Sequence, residues 1–168
     1  LQRRIVTACF ISTILHLFHS PAHALDLYWV CGSGDWDSGL GTPCWSTIPG
    51  GAGTQDYPLD GDSAYLTQAG VTDITVEYHQ QVAGSLFNLA IDATGIGTMT
   101  LSQVTYGGDL LTEYETVGDL GTGNVVLSNG THTVTNTLYL GNSVTGNGSY
   151  ALSGSGSLTT LFEHIGFE

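Results

Sequence analysis

Gly97-Thr-Met-Thr-Leu-Ser102, Gly123-Asn-Val-Val-Leu-Ser128 and Gly148-Ser-Tyr-Ala-Leu-Ser153 align without gaps, at offsets of 26 and then 25 residues. Each is followed by a corner rich in Gly, Ser, Thr and Asn, then by a second apolar run closing on glycine: Val117-Gly118, Leu140-Gly141 and Ile165-Gly166. From Ser128 to Gly141 and from Ser153 to Gly166 the spacing is 13 residues in both units. A fixed period in this range marks stacked repeats.

Within each unit the pattern has period two. Met99 and Leu101, Val125 and Leu127, and Tyr150 and Leu152 share one face, while Thr100, Val126 and Ala151 take the other. Side chains alternate across a strand, so one buried and one exposed face follow. Glycine and β-branched residues recur through the same stretch and disfavour helix. Two all-β folds accommodate such a repeat, an antiparallel meander or a right-handed parallel β-helix. Only the coil stacks equivalent residues directly, about 4.8 Å apart, and like meets like along the columns. Leu101, Leu127 and Leu152 are expected to form one ladder, and Val117, Leu140 and Ile165 a second.

Working outward to the N-terminus, Arg3 and Arg4 precede a largely apolar run from Ile5 to Phe18, and Ala22-His23-Ala24 supplies a small-x-small site. This is the form of a cleaved export signal over 1–24. At 14 residues the run falls short of the roughly 20 that a spanning helix needs. Cys9 as a lipoprotein cysteine fits less well, because Phe10 and Ile11 continue the apolar run. Beyond residue 24 the chain has no Lys or Arg and all fifteen of its Asp and Glu residues. Such a surface repels nucleic acid, anionic membranes and acidic polysaccharides. Cys31 and Cys44, thirteen positions apart, are expected to form a disulfide in an oxidising compartment, worth about 3 kcal/mol in the loop-entropy model. Cysteine-based metal binding is the weaker alternative, with no histidine beside either thiol.

The repeats, from roughly Gly95 on, carry Glu115-Thr-Val-Gly118, Thr137-Leu-Tyr-Leu-Gly141 and Glu163-His-Ile-Gly166, joined by Gly-x-Gly turns. Ahead of them stand Trp36, Trp45, Pro49-Gly50 and Asp62-Ser-Ala-Tyr-Leu66. Together these resemble the bacterial secreted β-helical repeat proteins, including autotransporter passenger regions and relatives with a C-terminal PEP-type sorting tag. The resemblance implies a secreted or cell-surface, structural or adhesive β-helix, whose partners would be glycans or other surface repeat proteins. Neither a translocator barrel nor a sorting tag stands in these residues. The chain is expected to be a fragment of a longer repeat protein, with self-association through an open C-terminal coil.

Residues 25–66 differ in composition, holding all three tryptophans and the cysteine pair, and are expected to cap the repeats of 67–168. Tyr28-Trp29-Val30 should be the first strand, with others near Ala64–Thr67, Asp73–Tyr78 and Ser85–Ile91. Trp29, Trp36 and Trp45 serve as cap packing or, in the sharper alternative, as a glycan-stacking surface. Asp35, Asp37, Asp60 and Asp62 lie in glycine turns. They are weak calcium candidates, since hard oxygen ligands suit Ca²⁺ but the full ligand spacing of a calcium loop is missing. No catalytic residue is assigned. Glu115 and Glu163 are equivalent, but Leu138 occupies that position in the coil between them. That sets the two glutamates roughly 10 Å apart, as corner residues. His79, His132 and His164 are expected at solvent-facing or strand-edge positions, with His132 stacked on Ser157 and His164 on Tyr139. The expectation is a non-catalytic surface β-helix; a carbohydrate-binding module or a carbohydrate-active enzyme on the same scaffold is the alternative.

Overall fold

The computed structural model describes residues 24–37, 41–79, 84–104 and 108–166. The export signal read over 1–24 thus lies, apart from Ala24, outside the described residues. Among the described residues the strands are β1 (Asp26–Trp29), β2 (Gly34–Asp35), β3 (Trp45–Ser46), β4 (Ser63–Gln68), β5 (Ile74–Glu77) and β6 (Ser85–Ala93), then β7 (Met99–Gln103), β8 (Asp109–Val117), β9 (Thr122–Leu127), β10 (Thr131–Leu140), β11 (Asn147–Leu152) and β12 (Ser157–Ile165). They form a parallel β-solenoid with two facing sheets. One sheet runs β12-β10-β8-β6-β4-β1-β3 and the other β11-β9-β7-β5-β2, with only β3 antiparallel to its neighbour. From β4 onward the chain alternates between the sheets, so each turn of the coil adds one rung to both.

The inward columns are continuous and mostly apolar. Leu27, Ala64, Leu89, Glu115, Leu138 and Glu163 follow one another in register, and Leu66, Ile91, Val117, Leu140 and Ile165 form the next inward column. The expected Val117–Leu140–Ile165 ladder is therefore present. The other expected ladder is shifted. Leu127 does pair with Leu152, but Leu101 stacks on Val125 and Gln103 takes the place on Leu127. A two-residue slip keeps every side chain on its own face, so the apolar pattern alone did not distinguish the two registers.

The repeated glycines have steric causes. Gly118, Gly141 and Gly166, which close β8, β10 and β12, have φ of +69°, +68° and +79°. This is the left-handed region that other residues rarely adopt. Gly97, Gly123 and Gly148, which open the repeat units, face the preceding coil so closely that a Cβ would overlap the carbonyl oxygens of Thr72, Ile91 and Val117.

The aspartates stitch coil to coil. Asp62 accepts hydrogen bonds from the Leu25 and Leu59 amides, both at 2.8 Å. Asp60 accepts from Ser85 N–H at 2.8 Å, Asp73 from Thr98 N–H at 2.9 Å, and Asp92 from the Leu120 and Gly121 amides. Corner amides that no strand satisfies thus find charged acceptors, the stronger kind of hydrogen bond. Acidity in this chain is in good part turn chemistry.

At the N-terminal end, Cys31 and Cys44 are disulfide-bonded with Cα atoms 5.3 Å apart. Trp36 packs edge-on against both Trp45 and Tyr78, at centroid distances of 4.7 and 5.3 Å, and Trp29 against Trp45 at 5.3 Å. The first strand begins two residues earlier than expected, at Asp26.

Candidate functional site

Among the polar side chains of the interior, three lie in mutual contact: Glu115 on β8, His132 on β10 and Tyr150 on β11. Glu115 stands between Leu89 and Leu138 in its column, and His132 between Leu110 and Leu158. Glu115 and His132 are both 0 % exposed. The Tyr150 hydroxyl lies 2.9 Å from Glu115 Oε1 and 2.7 Å from His132 Nδ1, while His132 Nε2 lies 2.9 Å from Glu115 Oε2. That last contact is at ion-pair distance but outside hydrogen-bond alignment.

The Tyr150 hydroxyl donates to Glu115 Oε1 and thereby ties the smaller sheet to the larger. Burial, followed by the charge of Glu115 and its hydrogen bond, pushes the Tyr150 hydroxyl well above the ordinary phenol range. It stays protonated. A carboxylate, an imidazole and a phenol are the parts of a proton relay. With Glu115 and His132 fully buried, however, no substrate atom reaches either in this structure. The contacts join β8, β10 and β11 across the two sheets.

These positions correct two expectations. His132 is a core residue and pairs with Leu158, not Ser157. The turn from Leu127 to Thr131 is one residue shorter than that from Leu152 to Ser157, and β10 makes up the difference with a bulge between Val134 and Thr137. The two changes cancel over the 13-residue spacing, so a gapless alignment turns His132 to the wrong face. Glu115 and Glu163 are mid-strand rather than corner residues, although Leu138 does lie between them as expected. The signal that could have exposed the trio is a glutamate set between Leu89 and Leu138 in an inward column.

The remaining sequence candidates are dispersed. Trp29, Trp36 and Trp45 are all buried, with their ring faces turned into the cap cluster, whereas stacking on a sugar requires an open face. Asp60 and Asp62 hold backbone amides, as above, and Asp35 lies 3.7 Å from His79 Nδ1. Asp37 is half-buried beyond β2. Among the described residues no three His, Cys, Asp or Glu side chains are grouped to hold a metal ion. His79 is half-buried, and His164 is exposed and stacked on Tyr139, with centroids 5.2 Å apart, as expected.

Outside, the rungs of the larger sheet form an aromatic-rich face. One outward column runs Tyr28, Tyr65, Ala90, Thr116, Tyr139 and His164; the neighbouring one includes Asn88, Tyr114 and Phe162. Tyr28 and Tyr65 stack at 4.8 Å, and Phe87 meets Tyr114 edge-on at 5.7 Å. An open groove of about 400 Å³ beside Phe87 is lined by Asp60, Ser85 and Glu113. Comparison with protein-family models, curated proteins and solved structures finds no match for this chain.

Proposed function

We propose that the chain is an exported, non-catalytic scaffold of the bacterial secreted β-helical kind, a stiff segment that presents its outer faces at or beyond the cell surface. The observation that carries this is the disulfide-bonded cap on a continuous parallel solenoid, since a disulfide of this kind persists in oxidising compartments. Supporting it are the signal-like residues 1–24 and a surface beyond them without Lys or Arg. Ladders of backbone hydrogen bonds give rigid length for little sequence complexity.

The test is expression of the tagged chain in a Gram-negative host, followed by fractionation and intact mass. Export with loss of residues 1–24 and an oxidised Cys31–Cys44 pair is expected. Cytoplasmic retention with intact N-terminus and free thiols would overturn the proposal.

A further inference from the structure

We infer that the outer face of the larger sheet carries a binding slot for a neutral glycan, walled by Tyr65 and Tyr139 and floored by Ala90 and Thr116. This goes beyond the scaffold role and holds wherever the chain is located.

The geometry follows from the column itself. Tyr28 and Tyr65 are stacked with 15° between their planes and 4.8 Å between their centroids. That separation matches the spacing of neighbouring strands, so the ring faces look along the solenoid axis. Tyr139 and His164 repeat this at 5.2 Å and 16°. Each pair leaves one face uncovered by its stacking partner: that of Tyr65 looks toward the rung of Ala90, and that of Tyr139 toward the rung of Thr116. Three rung steps separate the two tyrosines, roughly 14 Å. Two layers of rings are thus missing from an otherwise six-membered column, and small side chains stand in their place. Two sugar rings, one on each tyrosine face, would restore the stacking.

The surroundings select the ligand class. Sugar rings present apolar C–H faces to aromatic planes and hydroxyls at their edges. Asn88 and Tyr114 flank the slot on the next outward column, and the Tyr114 hydroxyl accepts a hydrogen bond from Asn136 at 2.8 Å, which orients it. No Lys or Arg follows residue 24, so nothing pairs with phosphate, sulfate or uronate, and fifteen carboxylates repel them. A neutral sugar needs no such partner. The competing occupant is a cationic chain held by cation–π contact and the acidic field.

The experiment is isothermal titration calorimetry of the full chain with hexaoses of β-1,4-glucose, α-1,4-glucose, N-acetylglucosamine, mannose and xylose, with pentalysine in parallel. Binding to at least one hexaose is expected, weakened about tenfold by Tyr65→Ala and by Tyr139→Ala, each of which removes one stacking face. Ala90→Tyr fills the slot with a ring that continues the column, so it should abolish binding while leaving the circular dichroism spectrum and melting temperature intact. Failure to bind any hexaose, hexaose binding indifferent to Ala90→Tyr, or binding of pentalysine alone would each overturn the inference.

Discussion

Replacing His132 by leucine removes one member of the buried trio and leaves the Glu115 carboxylate in the core with Tyr150 as its hydrogen-bonding partner. Breaking a buried charged pair by deleting one side costs about 3–5 kcal/mol, because the survivor is stranded away from water. Leucine itself fits, since both column neighbours of His132 are leucines, Leu110 and Leu158. Cavity formation therefore adds little, and the loss should be electrostatic. At about 2–4 °C per kcal/mol for a chain of this size, the melting temperature should fall by roughly 6–20 °C. The informative partner is the triple variant Glu115→Leu, His132→Leu, Tyr150→Phe. Leu89 and Leu138 flank Glu115, so the triple substitution places leucine between leucines in both columns and leaves none of the trio's polar atoms behind. Replacing buried ionic groups with apolar ones of similar volume is neutral or stabilising by about 1–4 kcal/mol. Urea denaturation followed by far-ultraviolet circular dichroism reads both. A single variant within about 1 kcal/mol of the parent, or a triple variant as unstable as the single, would refute the pairing of these three groups.

Other outcomes follow from the turns and the cap. Burial, followed by the charge of Asp109, pushes the Tyr78 hydroxyl up to about 12 from 10.0. The folded state then holds the proton that the unfolded state releases, so this stability is complete below about pH 10 and is lost on rising to about pH 12, by about 3 kcal/mol. Tyr78→Phe should flatten that alkaline slope in urea titrations between pH 9 and 12. Reducing the Cys31–Cys44 bond should cost about 3 kcal/mol, seen as a lower urea midpoint with dithiothreitol, and a Cys31→Ala, Cys44→Ala variant should show no such shift. Asp62→Ala strips charged acceptors from the Leu25 and Leu59 amides. It should destabilise by about 2–4 kcal/mol, with faster hydrogen exchange at those two amides.

Much of the architecture was legible because local rules and global fold agreed. Alternation marked the strands, and glycines at 118, 141 and 166 marked coil corners whose left-handed φ they supply. Strands over Ser63–Gln68, Ile74–Glu77 and Ser85–Ala93 lie where the pattern put them. Depth was harder to read. His132 sits beyond a turn shortened by one residue and ahead of the bulge that restores the spacing. With period two, a single-residue shift exchanges inside for outside. The tyrosine slot was illegible for another reason. Its members, from Tyr65 to Tyr139, are scattered over four rungs, and only the parallel register brings them into one column.

The buried trio is expected to specify register. Leu101 on Leu127 and Leu101 on Val125 bury equally apolar side chains, so leucine and valine columns tolerate slips of two residues. Glu115, His132 and Tyr150 do not, because they join β8, β10 and β11 across both sheets and any slip strands a buried polar atom. They also lie beside the β10 bulge, where the pairing changes count against both neighbours. The triple apolar variant should therefore keep its stability and lose its uniqueness. Amide resonances of 109–165 should multiply or broaden in heteronuclear correlation spectra while those of the cap stay single. One sharp set of resonances throughout would show that packing and the bulge alone hold the register, and would reduce the trio to a tolerated polar inclusion.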